Sequence, residues 1–208
     1  MGKSVQYRAE RTRLMVEVLE TGKRPTEFEE AFNFCQVGCG QYKHEAFALW
    51  RAIKEADPIN LAEVGRHMAG TSVLMVCAAS NVKKFTSIDI VRYEPIDVAL
   101  EGWLKAQGVE GQVLGQDSTK YVPDGPYDMV YIDGGHDGPT VAGDIAVWKD
   151  VVKTIGFHDF GDQGRKNKHK VHYPDLIQVV KDAWAANNWT QTSMPRGRSE
   201  IFFKTKVI

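Results

Sequence analysis

The 208-residue chain has few cysteines and no excess of charge of either sign. Its 3 cysteines, Cys35, Cys39 and Cys77, are an odd and sparse set, which argues against a disulfide framework. The formal net charge of -1 gives no broad electrostatic reason to bind nucleic acid or a membrane. The start lacks a signal peptide's apolar segment, and no apolar stretch approaches the ~18 residues that a membrane span needs. We therefore expect a cytoplasmic protein that binds neither nucleic acid nor membranes.

Two of the cysteines leave a metal alternative open. Cys35 and Cys39, together with His44, offer three zinc-binding side chains, but a fourth ligand is missing from the pattern. The favoured interpretation is that these residues are ordinary buried thiols.

The order of the predicted elements indicates an α/β protein. At 43% hydrophobic and 25% charged residues, the chain can bury a large core. Amphipathic spacing predicts helices over 6–20 and 43–56, which form an N-terminal helical cap (1–57) in the same domain as the remainder (58–208). From residue 60 onward strands and helices alternate, which builds a mostly parallel sheet covered on both faces. The predicted strands are 61–64, 84–88, 112–114, 127–132 and 154–157, the helices are 71–80, 96–107, 140–152 and 175–187, and a terminal strand pair covers 189–193 and 200–204.

Polar side chains follow two of these strands directly. The apolar run 127–132 ends in Asp133, Gly134, Gly135 and His136, and the run 154–157 ends in His158 and Asp159. Open α/β sheets bind ligands where their parallel strands end. If the two strands are neighbours, their ends bring together two carboxylates and two imidazoles, which can hold a divalent metal and move a proton.

The turn after the first predicted strand is a candidate cofactor site. Gly65 permits a tight turn, Gly70 lets the backbone approach a ligand closely, and Thr71 or Ser72 can cap the following helix. The alternative is a plain turn between a strand and a helix, with no ligand.

The ends of the second and third strands strengthen the cofactor interpretation. Asp89 lies a little over ~20 residues beyond the turn, where a carboxylate commonly binds ribose hydroxyls. Asp117 and Ser118 give the third strand a polar end suited to adenine.

These motifs together resemble the class I S-adenosylmethionine-dependent methyltransferases over residues 41–203. The most similar group is the small-molecule O-methyltransferases called methyltransferase family 24. The resemblance implies a Rossmann-like, doubly wound, seven-stranded and mostly parallel sheet whose last strand is antiparallel. One departure is Ala69, which stands where many members have glycine. The residues that carry the resemblance are 63–65, 70–72, 87–89, 132–136 and 157–159.

The resemblance also implies S-adenosylmethionine as the cofactor. Glu63 and Gly65 would line its methionine end, Asp89 its ribose, and Asp117 with Ser118 its adenine.

Metal-dependent relatives such as catechol O-methyltransferase imply a divalent cation held by Asp133, His158 and Asp159. His136 falls where such relatives carry the general base, a task that suits imidazole because its pKa lies near neutrality. A histidine ligand favours manganese, iron or zinc over magnesium. Asp133 and His136 are thus the predicted catalytic residues.

Each of these residues also has a structural interpretation. Asp133 could cap the loop after its strand, and His136 could donate to a backbone carbonyl without chemical work. His158 could orient Asp159 rather than bind the metal. For Asp144, on the next helix, a solvated or capping role is the favoured interpretation.

Two other functional classes remain open. A nicotinamide-dependent oxidoreductase would use Asp89 equally well, but it explains neither the Asp133/His136 pair nor the His158/Asp159 pair. The other class is a cofactor-binding protein without turnover, or a relative that uses the same residues for metal-dependent oxidation or hydrolysis.

The expected partner is a small-molecule acceptor with a hydroxyl group, such as a sugar, a phenol or a natural product. The basic stretch 164–172 is interpreted first as a solvated loop, and alternatively as a lid that attracts an acidic acceptor. The apolar N-terminal helix makes a homodimer plausible.

Overall fold

The computed structural model describes residues 3–160, 173–192 and 200–205. Seven strands form one sheet in the order β3-β2-β1-β4-β5-β7-β6. The four central parallel strands are largely buried on both faces, as apolar runs in parallel sheets generally are, whereas the two strands at the edges of the sheet are more exposed. They are β1 (Asn60–Val64), β2 (Lys84–Asp89), β3 (Glu110–Gly115), β4 (Tyr127–Ile132), β5 (Val152–Phe157), β6 (Thr190–Gln191) and β7 (Ile201–Lys204).

The register of the sheet places the ends of the central strands side by side. Val64 pairs with both Ile88 and Ile132, and Ile132 pairs with Phe157, all in parallel ladders. β7 runs antiparallel to both β5 and β6, so it begins at the edge where the parallel strands end. The expected fold is therefore confirmed, including the antiparallel last strand and the neighbouring positions of β4 and β5.

Helices cover both faces of the sheet. On one face α1, α2, α3, α4 and α5 share a core with the sheet that includes Met15, Leu49, Val73 and Phe85. On the other face α6 and α7 pack over a second core that contains Val130, Trp148 and Val180. The N-terminal helices thus share a core with the strands. The helices are α1 (Lys3–Glu20), α2 (Phe28–Cys35), α3 (Lys43–Ala56), α4 (Gly70–Ala78), α5 (Glu94–Ala106), α6 (Gly138–Trp148) and α7 (Pro174–Asn187).

Some predicted bounds were wrong. The helix predicted over 140–152 ends at Trp148, and Val152 instead begins β5, where it pairs with Tyr127. A β-branched valine next to a strand partner gains more from the sheet than from another helical turn. α2 was not predicted, because it is only 8 residues long. No helix in the described ranges is long and apolar enough to cross a membrane.

Candidate active site

The turn after β1 requires glycine at its first position. Gly65 has a φ of +92°, and a Cβ atom there would lie 2.1 Å from the carbonyl oxygen of Asp133. Gly70 is equally constrained, but toward a different neighbour, because its Cβ would lie 2.1 Å from the backbone nitrogen of Cys39. Gly65 therefore lets the β1 and β4 ends touch, whereas Gly70 packs against the segment after α2.

The start of α4 differs from the prediction. The residue before the helix is Ala69, in the left-handed conformation (φ +62°), and no side chain caps the helix end. Thr71 is buried with its hydroxyl 3.9 Å from Cys39 Sγ, and Ser72 donates to Glu63. The predicted capping by Thr71 or Ser72 is thus wrong, because both residues lie within the first turn of the helix and their side chains are buried.

Glu63 lies beneath the turn, fully buried. Its Oε2 accepts hydrogen bonds from the hydroxyls of Ser72 and, at 2.9 Å, Ser87. Burial raises the pKa of Glu63 to about 7, although the two serines oppose the shift. Glu63 therefore joins β1, β2 and α4 from below.

Arg66, which sequence reasoning missed, supports the same turn. Its guanidinium is fully buried and forms a two-pronged ion pair with Asp97, at 2.9 and 3.0 Å. It also donates to the carbonyl oxygens of Ser87 (3.1 Å) and Leu114 (3.2 Å). One side chain thus connects the ends of β1, β2 and β3 to α5. This role could not be inferred from the residue pattern, because an arginine in a glycine-rich turn is usually exposed.

A crevice of about 910 Å³ opens at the ends of these strands, a size typical of small-molecule sites. Five of the predicted residues line it, and Glu63, Gly70, Thr71 and Ser72 do not. We call this space the cofactor crevice. The predicted residues in its wall are Gly65, Asp89, Asp117, Ser118 and Asp133, and those not predicted include His67, Ile90, Thr119, Pro139 and Thr140.

Asp89 is held firmly at the crevice wall. One of its oxygens accepts the backbone N–H of His67 and the other that of Val91, each at 2.8 Å. Two charge-assisted hydrogen bonds fix the carboxylate at the end of β2. Each oxygen retains lone pairs for a bound hydroxyl.

Asp117 organises the part of the crevice wall that follows β3. It accepts from the backbone and the hydroxyl of Thr119, at 3.1 and 2.6 Å, and so caps a short 3-10 helix over Ser118–Lys120. Its other oxygen lies 2.9 Å from Lys120 Nζ. The Thr119 hydrogen bonds, followed by Lys120, lower the pKa of Asp117.

Asp144 contradicts its favoured interpretation. It is fully buried in the middle of α6, whose N-terminal cap is Asp137. Burial raises the pKa of Asp144 to about 6, although the nearby Ser118 hydroxyl opposes the shift. Asp144 is therefore neither solvated nor a capping residue, and it lies next to Ser118, a residue of the crevice wall.

Four side chains from the ends of β4 and β5 converge beside the crevice. We call Asp133, His136, His158 and Asp159 the ion cluster. Asp133 Oδ1 lies 3.0 Å from His158 Nδ1, which is 3.3 Å from Asp159 Oδ2. Asp159 Oδ2 in turn lies 3.0 Å from His136 Nε2. Asp133 belongs to both the crevice wall and the ion cluster, so the two are contiguous.

The short distances in the ion cluster are ion-pair contacts between imidazole nitrogens and carboxylates. Neither His136 Nε2 nor His158 Nδ1 has a well-aligned hydrogen bond to any residue that the structure describes. Carboxylate and imidazole atoms about 3 Å apart can also serve as ligands of a common ion about 2 Å from each.

Electrostatics couple the members of the ion cluster. Burial opposes a charge on His158, but Asp133 foremost and then Asp159 and Glu45 outweigh it and raise the pKa of His158 well above its ordinary value. Burial also opposes the charge on Asp159, yet His136 and His158 lower its pKa. The His136 ring stacks on Tyr173, with centroids 4.1 Å apart, which orients the imidazole.

A second group of side chains contacts the other nitrogen of His158. His158 Nε2 lies 3.7 Å from Glu45 Oε2 on α3 and 3.7 Å from Glu200 Oε1, just before β7. We call Glu45, His158 and Glu200 the inner cluster. Sequence reasoning missed both glutamates, because each lies far along the chain from the strand ends.

The zinc alternative at the cysteines is not supported by the structure. Cys35 and Cys39 are buried free thiols, whereas the His44 side chain is 44% exposed and lies 3.8 Å from Glu45. Burial raises the pKa of both thiols, which keeps them protonated. The favoured interpretation as ordinary buried thiols is confirmed.

Comparison with known proteins places this geometry in a familiar architecture. No protein family model matches the chain, and no curated protein matches it. A Staphylococcus aureus structure named as a candidate caffeoyl-CoA O-methyltransferase aligns with a TM-score of 0.60 at 13% identity, covering 93% of this chain and 98% of the other. The fold is that of the class I methyltransferases.

Two further structures share the methyltransferase fold. Podospora anserina methyltransferase PaMTH1, solved with S-adenosylhomocysteine, aligns with a TM-score of 0.55 at 12% identity over 99% of this chain and 97% of its own. The O-methyltransferase TomG from Streptomyces achromogenes, solved with S-adenosylmethionine, aligns with a TM-score of 0.52 at 13% identity over 91% and 89%. The roles of individual residues must therefore come from the geometry of this chain.

Proposed function

We propose that the protein is an S-adenosylmethionine-dependent methyltransferase that methylates a hydroxyl of a small molecule with the help of a divalent cation. The observation that carries this proposal is the contact between the cofactor crevice and the ion cluster through Asp133. Methyl transfer is an in-line displacement, which needs a cofactor and an activated acceptor oxygen side by side. This chain has room for the cofactor in the crevice, next to side chains that could bind a cation and so activate the acceptor oxygen.

The crevice wall fits a nucleoside cofactor. Asp89 presents a fixed carboxylate to the ribose hydroxyls, Asp117 and Ser118 lie where the adenine would bind, and Gly65 leaves the wall without a side chain. When bound, S-adenosylmethionine supplies the electrophilic methyl group. Two neighbouring structures, PaMTH1 and TomG, contain S-adenosylhomocysteine and S-adenosylmethionine, which supports this cofactor.

The ion cluster fits a divalent cation. Asp133 and Asp159 would hold it together with Nδ1 of His158, a mixed nitrogen and oxygen set that favours manganese, iron or zinc. Such a cation lowers the pKa of a bound hydroxyl. Two carboxylates this close would otherwise repel each other, and positive charge relieves the conflict.

We assign His136 as the general base. Its Nε2 is buried 3.0 Å from Asp159 Oδ2, and its side chain as a whole is 28% exposed, so an acceptor would approach the imidazole at the exposed part of the ring. Tyr173 stacks on the ring and fixes its direction. The donor atoms of Asp133, His136 and Asp159 also lie within 4.8 Å of one another, which makes His136 the competing choice for a cation ligand.

Ligand-induced stabilisation tests the cofactor. We expect S-adenosylhomocysteine to raise the melting temperature in proportion to the logarithm of its concentration, and NAD to have no effect. The reverse result would support the nicotinamide-dependent alternative. Chelation should abolish transfer to a hydroxyl acceptor and leave the S-adenosylhomocysteine effect in place. Full transfer after exhaustive chelation would remove the cation from the mechanism.

For the methyl acceptor we propose only a broad chemical class. We propose a cytoplasmic enzyme with a small-molecule acceptor, and an acidic acceptor if the basic stretch 164–172 covers the site. That stretch lies outside the described residues. The homodimer likewise stays a prediction, which sedimentation of the purified protein would test.

A further inference from the structure

The inner cluster places two buried carboxylates against one imidazole nitrogen. Glu45 and Glu200 are each about 1% exposed, and both carboxylates lie 3.7 Å from His158 Nε2. The other nitrogen of that imidazole faces Asp133 and Asp159. A buried carboxylate is costly unless a cation or a hydrogen bond compensates it.

Glu200 is the clearest sign of a missing partner. Neither of its carboxylate oxygens has a hydrogen-bond partner among the residues that the structure describes, and the same is true of His158 Nε2. A buried carboxyl without a hydrogen bond is rare in native proteins and needs an explanation, such as an ion.

Glu45 is prepared for a ligand in a different way. Its Oε2 accepts the backbone N–H of Tyr42 at 2.9 Å in the capping box of α3, which fixes the carboxylate in place. One donor atom each from Glu45, His158 and Glu200 lies within 4.8 Å of the other two. The three residues come from three separate elements and meet at one point, as the ligands of a metal site do.

We propose that Glu45, Glu200 and Nε2 of His158 bind a second divalent cation, separate from the one in the ion cluster. One imidazole and two carboxylates favour manganese, iron or zinc. His158 would serve both ions as an imidazolate, with its ring protons released to solvent when the two cations bind. This inference goes beyond the proposed function, because it holds whether or not the protein transfers methyl groups.

Counting bound Mn²⁺ tests the site directly. The full-length protein is stripped with a chelator, desalted and titrated with Mn²⁺ while the electron paramagnetic resonance signal of the free ion is followed. We expect two bound equivalents in the wild type and one in Glu200→Gln, whose remaining affinity for the lost ion is at least about tenfold weaker. Glu45→Gln, which keeps an oxygen for Tyr42, should behave in the same way. Glu55→Gln, at an exposed position of α3, is the matched control and should bind two.

Asp159→Asn separates this inference from the proposed function. It should lose the ion of the ion cluster and keep the inner one. If Glu200→Gln and Glu45→Gln bind as many equivalents as the wild type, the inner site does not exist, whatever Asp159→Asn does. If only Asp159→Asn matches the wild type, the inner site stands and the cation of the proposed function fails.

Thermal stability provides a second readout that a purely structural role of Glu200 would not produce. Without metal, Glu200→Gln should melt at or above the wild-type temperature, because it removes an uncompensated buried carboxyl. With Mn²⁺ its melting temperature should rise less than that of the wild type. A metal-free variant that melts lower, with an unchanged Mn²⁺ response, would show Glu200 to be only an ion-pair partner of His158 and would overturn the site.

Discussion

Arg66 and Asp89 beside the cofactor crevice find their partners within the protein, whereas, among the residues that the structure describes, His158 and Glu200 beside β5 and β7 have buried polar atoms that do not. Arg66 donates to Asp97 and to two backbone carbonyls, and Asp89 accepts a backbone N–H on each oxygen. By contrast, His158 and Glu200 have buried polar atoms without hydrogen bonds to any described residue. In the first region, contacts within the protein hold Arg66 and Asp89 in place. In the second region, His158 and Glu200 lack such hydrogen bonds to the described residues, which suggests that a bound ion completes it.

The largest expected effect concerns the ion cluster. His136→Gln should lower the turnover of methyl transfer by roughly 10²–10⁴-fold, as the loss of a general base does, and leave S-adenosylhomocysteine affinity nearly intact. Steady-state kinetics across pH and calorimetry measure the two quantities. Mn²⁺ affinity decides between the two roles of His136: an unchanged affinity supports the base, and a weakened one makes the residue a ligand.

The strongest test of the residues that support the cofactor crevice is the buried ion pair of Arg66 and Asp97. Asp97→Ala should lower the free energy of unfolding by about 3–5 kcal/mol, because it leaves the Arg66 guanidinium buried without its partner. Urea unfolding followed by circular dichroism measures the change. Glu94→Gln, which removes an exposed partner of Arg92 on the same helix, is the control and should change stability by less than about 1 kcal/mol. Equal effects in the two variants would mean that the pair does not support the turn.

The buried carboxyl of Glu63 should make the stability of the protein depend on pH. Burial raises the pKa of Glu63 from its ordinary 4.5 to about 7, so the folded state holds this proton more tightly than the unfolded state does. The stability that this proton provides is complete below pH 4.5 and is lost as the pH rises to 7. Relative to Glu63→Gln, the wild type should lose up to about 3 kcal/mol across that window. Urea unfolding at pH 4.5 and pH 8 measures this, and parallel curves would contradict the shifted pKa.

The smallest effect concerns the crevice wall. Asp89→Ala should weaken S-adenosylhomocysteine binding by about 1–3 kcal/mol, the scale of hydrogen bonds to a charged group. Asp89→Asn keeps an acceptor for one of the two backbone N–H groups and should lose less. Calorimetry that finds the alanine variant unchanged would remove Asp89 from the site.

The fold and the ends of its central strands could be predicted because their signals are local. Apolar runs that stop at Gly65, Asp89, Asp133 and His158 mark the edge of a parallel sheet, and the structure confirms that edge. The same reasoning explains why five predicted residues line the crevice.

What could not be predicted depends on contacts between distant parts of the chain. The sequence around Glu63 does not tell whether its carboxylate faces a cofactor or the hydroxyls of Ser72 and Ser87. Tertiary packing determines that it faces the two hydroxyls. Glu45 and Glu200 meet at His158 because α3 and β7 close over the end of β5. No spacing rule relates residues so far apart. The roles assigned to the predicted site residues stay predictions until the variants are measured.

β7 is the last strand in chain order, and this position sets the order in which the cofactor crevice and the inner cluster can form during synthesis. All residues that line the cofactor crevice lie between Val64 and Gly143, so the ribosome delivers that region in one continuous stretch. Glu200 arrives later, and it reaches His158 only once β7 has inserted between β5 and β6. A newly made chain therefore has the residues of the cofactor crevice well before it has those of the inner cluster. A cation that needs all three residues of the inner cluster could bind only after insertion of the last strand.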